Sequence, residues 1–133
     1  DIFAPVAAHL AKGVKPSEFG PGTIKMIVPE FARAIRGKSK IMGEVIHVDG
    51  FGNIMTNVAE TDIKSLEIDG EIELRIDARR VRLKFCKTYG EAEVGEPLAL
   101  VGSNGFLEIS VNQGNASDIF KLQSGDRITV FLV

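Results

Sequence analysis

The sequence has few of the residues that build metal centres and disulfide frameworks: one cysteine, two histidines and no tryptophan in 133 residues. A single cysteine cannot form an internal disulfide, and this usage fits a reducing compartment. Cys86 ends an apolar strand pattern and is expected to pack in the core. The two histidines fall in different predicted elements, so no Cys/His set has the spacing of a zinc site. We therefore predict no metal site.

Catalytic motifs and long apolar runs are missing as well. The sequence contains neither a GxSxG nucleophile elbow nor a phosphate-binding loop. No apolar run approaches the length that spans a bilayer. The net charge of −2 lacks the basic excess typical of nucleic-acid-binding domains. We expect neither a membrane nor a nucleic acid among the partners.

What is present is the composition of a globular domain. Hydrophobic residues make up 44% of the chain and charged residues 26%, and a chain of this length can bury a core without disulfides. The chain starts at Asp1 with Ile-Phe-Ala-Pro, inside a pattern that already looks structured and without an initiator methionine. We expect it to be a piece of a longer polypeptide.

The first 40 residues have the character of a terminal helix and a connector. Residues 1–13 carry apolar side chains at helical spacing, which predicts a short helix. Residues 14–40 are punctuated by proline and glycine, which predicts a connector. Within the connector, residues 23–28 fit an extended arm and residues 31–35 fit one helical turn. We therefore separate residues 1–40 from the domain that follows.

From residue 41 onward the sequence has the alternation typical of β-strands. Apolar side chains alternate with polar ones, and for the strands at 71–77 and 80–85 this alternation predicts one solvated face each. A hairpin is predicted to turn at Ala78-Arg79, and short helical segments are predicted at 61–66 and 115–122. Seven or so short strands predict a mainly β domain over 41–133, an antiparallel β-barrel that is closed or nearly closed. The predicted strands are 41–48, 54–58, 71–77, 80–85, 98–101, 107–112 and 127–133.

Two glycine-containing turns offer binding chemistry, and the first is Asp49-Gly-Phe-Gly-Asn53. Phe51 presents a ring face on which a nucleobase can stack. Asn53 has an amide that matches the edge of adenine, and Asp49 has a carboxylate that accepts from an ammonium or a hydroxyl. The alternative is a hairpin turn in which Asp49 and Asn53 bond to their own backbone. The sequence leaves both interpretations open.

The second turn is Gly102-Ser-Asn-Gly105. Ser103 supplies a hydroxyl, Asn104 an amide, and the turn itself backbone N–H groups, which together can hold a carboxylate. A plain hairpin without a ligand is the alternative. No general base is evident for Ser103, so we do not expect it to act as a nucleophile.

Three separated motifs carry a resemblance to one family. They are DIFAPVAAHLA from Asp1, GEVIHVDGFGN from Gly43 with Thr56-Asn57, and SNGFLEI from Ser103. In this order they resemble the C-terminal half of the S-adenosyl-L-methionine hydroxide adenosyltransferases, which are relatives of the fluorinase and chlorinase enzymes. The similarity covers essentially the whole chain.

The resemblance implies a two-domain protein in which an α/β N-terminal domain precedes a β-barrel. This chain would be the barrel together with the last helix of the first domain. The resemblance further implies a cytoplasmic homotrimer, with S-adenosylmethionine lying between the N-terminal domain of one subunit and the C-terminal domain of its neighbour. S-adenosylmethionine or adenosine would be the ligand, and no cofactor is expected.

Four residues are implied to contact the adenine base. The resemblance gives Phe51 the stacking role and Asn53 the hydrogen bond to the edge of the base. Tyr89, in Thr88-Tyr89-Gly90, stands where the halogenating relatives have an aromatic residue against adenine. Ala116, which follows Asn115, would offer a backbone contact to the base.

Three residues are implied to hold the methionine part. Asp49 would bind the ammonium group, while Ser103 and Asn104 would bind the carboxylate. The halogenating relatives carry an arginine where this chain has Asn104, and losing that bidentate cation favours the hydrolytic branch. The water-activating Asp, Arg and His residues would belong to the N-terminal domain, so we expect no catalytic residue in this chain and no turnover by the chain alone.

The implied reaction is the attack of water on the ribose C5′ carbon, which releases L-methionine and leaves adenosine. A halogenating relative would use a halide instead of water. Two other classes stay open: a nucleic-acid-binding barrel, because small barrels often bind oligonucleotides, and a structural module whose turns make subunit contacts. The acidic balance argues against the nucleic-acid class.

Overall fold

The computed structural model of the protein describes residues 2–24, 33–64, 68 and 70–131. No helix in these ranges combines the length and the apolarity needed to cross a bilayer. In chain order the elements are α1 (Phe3–Ala11), a 3₁₀ turn (Pro16–Phe19), β1 (Ile35–Arg36), β2 (Lys40–Val48), β3 (Ile54–Ala59), α2 (Glu60–Lys64), β4 (Glu71–Ile76), β5 (Arg79–Phe85), a 3₁₀ turn (Tyr89–Glu91), β6 (Pro97–Val101), β7 (Phe106–Val111), α3 (Ala116–Phe120) and β8 (Arg127–Phe131).

Strands β2 to β8 close into a barrel. Their order is β2-β3-β7-β6-β5-β4-β8, and β8 pairs back with β2 from Lys40↔Phe131 to Glu44↔Arg127. Strand β1 pairs with β2 at Ile35↔Met42. Closure leaves the barrel strands without free edges, which removes sites for edge-to-edge aggregation. The predicted mainly β barrel is confirmed.

The prediction that the barrel is purely antiparallel is wrong at one pair. Strands β5 and β6 run parallel, with Lys84 opposite Leu98 and Phe85 opposite Ala99. Parallel neighbours need a crossover rather than a hairpin. Residues 86–96, which include the Tyr89–Glu91 turn, form that crossover and bring the chain back to the same end of the barrel.

The core follows the period-two pattern of the strands. On β4, Ile72, Leu74 and Ile76 are each at most 1% exposed. The outer face of the β4–β5 hairpin carries the expected charge pairing, because Glu73 lies 2.7 Å from Arg80 and 3.4 Å from Arg82. Cys86 is buried, as predicted, beside Ala92, Leu98 and Leu100.

Strand β7 departs from that pattern. In the sequence, Glu108, Ser110 and Asn112 alternate with apolar residues, but Glu108 is only 7% exposed and Ser110 is fully buried. The crossover places the Tyr89 hydroxyl against Glu108 on the outer side of β7. The alternation on β7 therefore does not produce a solvated face.

Several boundaries also differ. The helix predicted over 1–13 is α1, and the segment 115–122 contains α3. The helical turn predicted over 31–35 is wrong at its end, because Ile35 belongs to β1. Residues 31–32 of that turn and residues 25–28 of the predicted arm lie outside the described residues. The β4–β5 hairpin turns at Asp77-Ala78, one residue earlier than predicted, with Asp77 at φ 53°.

Candidate functional site

The loop between β2 and β3 is organised around the Asp49 carboxylate. Its Oδ1 accepts from the backbone N–H groups of Phe51 and Asn53, each at 2.9 Å. Its Oδ2 accepts from Asn53 Nδ2 at 2.9 Å. The backbone N–H of Asp49 donates to the Asn53 carbonyl at 3.0 Å, which closes the loop. Asp49 thus bonds to its own backbone, as the hairpin alternative expects, and the same bonds fix the loop in one conformation.

Asp49 is held in its ionised form. Partial burial by itself raises the pKa of the carboxyl group. The hydrogen bonds from the Asn53 side chain and from the backbone of Asn53, Phe51 and Gly52 together outweigh burial, so the pKa lies below its ordinary value. Of these donors, Phe51 N–H and Asn53 N–H lie at 2.9 Å from Oδ1, and Asn53 Nδ2 lies at 2.9 Å from Oδ2.

The start of α3 is locked against this loop through Gly52 and Asn115. Gly52 has φ +86°, and a Cβ added to it would lie 2.0 Å from Asn115 Oδ1. Asn115 caps α3 by accepting from the backbone N–H of Asp118 at 2.9 Å. The backbone N–H of Ser117 donates to the Gly52 carbonyl at 3.0 Å. Ala116, fully buried between these contacts, is therefore placed beside the loop.

Phe51, Asn53 and Tyr89 line one groove of about 450 Å³, together with Val111, Asn112, Gln113 and Gly114. This volume is within the range of small-molecule sites. The Phe51 side chain is 80% exposed and presents its ring at the mouth of the groove. Three of the four residues expected to contact adenine are therefore brought together, although they come from two segments far apart in sequence.

Another groove, of about 520 Å³, lies elsewhere on the barrel. Its walls come from β4, β5 and the start of β6, with Arg82, Lys84, Glu71 and Glu96 among them. It contains none of the residues expected to bind a ligand. The smaller groove at Phe51 is therefore the better candidate, because it alone of the two combines a ring face, an amide and a nearby anion.

Tyr89 is tied to the barrel by its hydroxyl group. The hydroxyl donates to Glu108 Oε1 at 2.6 Å, and Ser110 Oγ donates to the same oxygen at 2.8 Å. Burial, the bond to Glu108 and the negative charges of Glu108 and Asp49 raise the pKa of Tyr89 to about 12. Tyr89 therefore remains a protonated donor at neutral pH.

Glu108 is a site residue that sequence reasoning missed. It belongs to the motif from Ser103 and alternates with apolar residues along β7. No signal along β7 could have found it, because Leu107 and Ile109 point to the core while the burial of Glu108 depends on Tyr89, which lies 19 residues earlier in the chain. The second oxygen of Glu108, Oε2, faces the other turn, because a Cβ at Gly102 would lie 2.8 Å from it.

The Gly102–Gly105 turn lies next to the same strands but does not line the groove. The backbone N–H of Gly105 donates to the Gly102 carbonyl at 2.9 Å, and Ser103 and Asn104 are both exposed. Asn104 Nδ2 lies 2.8 Å from Met55 Sδ, and Met55 is two residues after Asn53. The second turn therefore contacts Met55, two residues beyond the first turn, and lies against Glu108, which binds Tyr89 of the groove.

Metal chemistry finds no support among these residues. In the described ranges, no group of three or more His, Cys, Asp or Glu side chains is placed to hold a metal ion. The groove offers aromatic side chains and amides, and the Asp49 carboxylate is bonded to one of those amides, that of Asn53. These groups suit a flat heterocycle joined to a cationic group.

Comparison with known proteins identifies a family to which this chain is similar. Residues 43–129 match the family model described as the SAM hydroxide adenosyltransferase C-terminal domain. The (R)-S-adenosyl-L-methionine hydrolase of Thermus thermophilus is 35% identical over 94% of this chain, and that of Salinispora tropica is 34% identical over 98%. A fluorinase from an Actinoplanes species is 27% identical over 98% of the chain. The chain spans 45 to 48% of the length of these relatives, about half.

Solved structures agree in fold. The crystal structure of an uncharacterized conserved protein from Thermotoga maritima superimposes with a TM-score of 0.80 at 34% identity, covering 98% of this chain and 51% of the other. A conserved hypothetical protein from Thermus thermophilus gives a TM-score of 0.64 at 32% identity with the same coverage. The resemblance seen in the three motifs is confirmed, and the chain belongs to the S-adenosyl-L-methionine hydroxide adenosyltransferase family, with its barrel as the C-terminal domain of that family.

Proposed function

We propose that this chain is the substrate-binding C-terminal part of an S-adenosylmethionine hydrolase, which converts S-adenosylmethionine and water to adenosine and L-methionine. The observation that carries the proposal is the single groove shared by Phe51, Asn53 and Tyr89 beside the ionised Asp49. A nucleoside with a cationic substituent matches both halves of this arrangement.

The adenine end uses Phe51 and Asn53. Stacking of a base on an aromatic ring contributes about 1–3 kcal/mol, and the exposed Phe51 ring offers its face for that contact. Asn53 donates through Nδ2 to Asp49, while its Oδ1 accepts nothing from the described part of the chain. The bond to Asp49 thereby orients the amide so that Oδ1 can accept a hydrogen bond from the adenine amino group. This is one of the two hydrogen bonds by which an asparagine amide recognises adenine.

The methionine end uses Asp49 and the second turn. The lowered pKa keeps Asp49 anionic, so that it attracts the ammonium group of the amino acid. Ser103 and Asn104 are exposed and supply a hydroxyl and an amide for the carboxylate. Neutral donors hold a carboxylate less strongly than an arginine does, and they are accordingly suited to releasing methionine as product.

We assign the reacting groups to the part of the protein that this chain does not span, because the chain covers about half of the relatives' length. Water gives up a proton to a base in that part and attacks C5′ in line; the C–O bond forms as the C–S bond breaks, and neutral methionine departs with the electron pair of the C–S bond. The barrel contributes alignment, an effect worth several kcal/mol of a barrier. We place the site between this barrel and the N-terminal domain of a neighbouring subunit in a homotrimer, with no cofactor.

Water rather than halide is the proposed nucleophile. Asn104 stands where the resemblance places an arginine in the halogenating relatives, and identity is higher to the two hydrolases than to the fluorinase. The test is turnover of S-adenosylmethionine by the full-length protein in fluoride or chloride, with products separated by chromatography. We expect adenosine alone, and a 5′-halogenated adenosine would assign the protein to the halogenating branch.

The adenine role is tested with Asn53→Ala in the same assay. Loss of the amide removes one base contact and loosens the loop, so kcat/KM is expected to fall about tenfold or more. Unchanged release of adenosine would remove Asn53 from the binding site. Failure of the wild-type protein to release adenosine would overturn the proposed function as a whole.

A further inference from the structure

Glu108 is the only acidic side chain that is buried among the described residues, with 7% of its surface exposed. A buried carboxylate is costly unless donors satisfy it. The ion pairs within the described ranges engage Glu60 and Glu73, not Glu108. Its donors are instead two neutral hydroxyl groups, on Tyr89 and Ser110. The geometry therefore suits Glu108 to holding a hydroxyl in place.

Tyr89 needs such a holder because it lies outside the sheet. It begins a three-residue 3₁₀ turn in the crossover from β5 to β6 and is 42% exposed. The backbone bonds of this turn are local, from Glu91 N–H to the Thr88 carbonyl at 3.3 Å and from Ala92 N–H to the Tyr89 carbonyl at 3.2 Å. These bonds set the turn, but they do not set the direction of the phenol ring.

The bond from the Tyr89 hydroxyl to Glu108 Oε1 fixes that direction. At 2.6 Å it has the length of a charge-assisted O–H···O bond, which is stronger than a neutral one. Ser110 Oγ, at 2.8 Å from the same oxygen, restrains the carboxylate from the other side. Since β7 is paired on both edges, by β3 and β6, the anchor is rigid.

We propose that Glu108 is a positioning residue that holds the Tyr89 ring as one wall of the nucleoside groove, with Ser110 restraining the Glu108 carboxylate. The inference rests on the proposed function, because it takes the Tyr89 ring to be the wall of the groove that contacts the adenine base. Glu108 does not touch the ligand in this account, and its effect reaches the ligand through Tyr89. A hydrogen-bond acceptor at this position is enough to direct the ring, and the negative charge of Glu108 strengthens the bond.

The chain offers a direct readout, because Tyr89 is its only tyrosine and it has no tryptophan. Ultraviolet absorbance therefore reports the ionisation of Tyr89 alone. In the wild-type chain, tyrosinate is expected only as the pH approaches about 12. In Glu108→Gln the negative charge is lost, and tyrosinate is expected at lower pH. The control Glu71→Gln, an exposed residue of β4, is expected to leave the titration unchanged.

Adenosine titration of the full-length protein gives the functional readout. Tyr89→Phe keeps the ring and removes the hydroxyl, and Glu108→Ala removes the acceptor; each is expected to weaken adenosine binding about fivefold or more. The double variant should be no weaker than either single variant, because the two residues act as one unit. Glu108→Gln keeps an acceptor oxygen and is expected to bind within about twofold of wild type.

The binding measurements distinguish failure of the positioning role of Glu108 from failure of the proposed function. Wild-type affinity in Tyr89→Phe, or a loss in Glu108→Gln as large as that in Glu108→Ala, would overturn the positioning role. If Glu108→Ala does not fold, as judged by circular dichroism, the adenosine affinities of Tyr89→Phe and Glu108→Gln still test the positioning role of Glu108. Absence of adenosine binding by the wild-type protein would overturn the proposed function and this inference together, whereas failure of the inference alone leaves wild-type binding intact.

Discussion

Asn53 donates its side-chain amide to Asp49 Oδ2 at 2.9 Å, so the residue expected to read the base and the residue expected to hold the ammonium belong to one bonded unit. The bond orients the amide before any ligand arrives and removes rotational freedom that binding would otherwise have to restrict. A substitution at either position is therefore expected to affect both ends of the ligand.

Replacing Asp49 is expected to destabilise the fold in a pH-dependent way. Asp49→Ala leaves three donors of the loop without their acceptor and should lower the free energy of unfolding by about 1–3 kcal/mol at neutral pH. The pKa of Asp49 in the folded protein lies below the ordinary value of an aspartate, so its contribution to stability is complete above that ordinary value and is lost as the pH falls through the folded pKa. Urea unfolding at several pH values measures the difference in unfolding free energy between the wild-type protein and Asp49→Ala. This difference should become smaller in acid.

The control for this prediction is Asp118→Asn. Asp118 is exposed in the first turn of α3, and its substitution should change the unfolding free energy by less than about 0.5 kcal/mol. A cost of Asp49→Ala that stays constant down to the most acidic pH tested would contradict the role of the ionised carboxylate.

Two neighbouring glycines should respond differently to alanine. Gly52 has φ +86° and no room for a Cβ beside the Asn115 side chain, so Gly52→Ala should cost about 2–3 kcal/mol in unfolding free energy through backbone strain and a disturbed helix cap. Gly50 has nothing within 4 Å of an added Cβ, so Gly50→Ala should be nearly neutral. Denaturant titration of both variants measures this, and equal costs would show that α3 is not locked to the loop through Gly52.

Phe51 should matter for binding and not for stability. Its side chain is 80% exposed, so Phe51→Ala should leave the melting temperature nearly unchanged. Loss of a stacking partner should weaken adenosine binding about tenfold. Calorimetric titration measures the affinity, with Phe19→Ala as a control at an aromatic residue that does not line the groove. Equal affinities of Phe51→Ala and wild type would place the base elsewhere.

Gly102 should influence the groove although it does not line it. A Cβ at this position would lie 2.8 Å from Glu108 Oε2, so Gly102→Ala should displace the carboxylate that anchors Tyr89 and weaken adenosine binding about threefold or more. Gly90, next to Tyr89, has nothing within 4 Å of an added Cβ, and Gly90→Ala should bind as wild type does. Adenosine titration of the two variants checks the pair. Weaker adenosine binding by Gly90→Ala than by Gly102→Ala would show that Gly102 does not act through the Glu108 carboxylate.

The barrel was predictable because strand periodicity is local. Ile72, Leu74 and Ile76 alternate with charged residues in the sequence, and they alternate between core and surface in the structure. The parallel pairing of β5 with β6 was not predictable in this way, because it depends on where the crossover returns the chain. That return is a property of the closed barrel and not of either strand.

The geometry of the candidate site was predictable in part. The residues of the Asp49–Asn53 loop could be singled out in the sequence because their chemistry lies within five consecutive positions. Tyr89 came from the family resemblance, since nothing in its own surroundings indicates a partner far along the chain. Glu108 was missed because its burial depends on that same distant segment, which a pattern read along β7 alone does not show.

A crystal structure of the full-length protein with adenosine shows directly whether the base binds in the groove at Phe51. We expect the base to lie in the groove against Phe51 and Tyr89, with its amino group at Asn53 Oδ1. Adenosine bound instead in the groove walled by Arg82 and Lys84, or a Phe51 groove left empty at saturating ligand, would contradict the account.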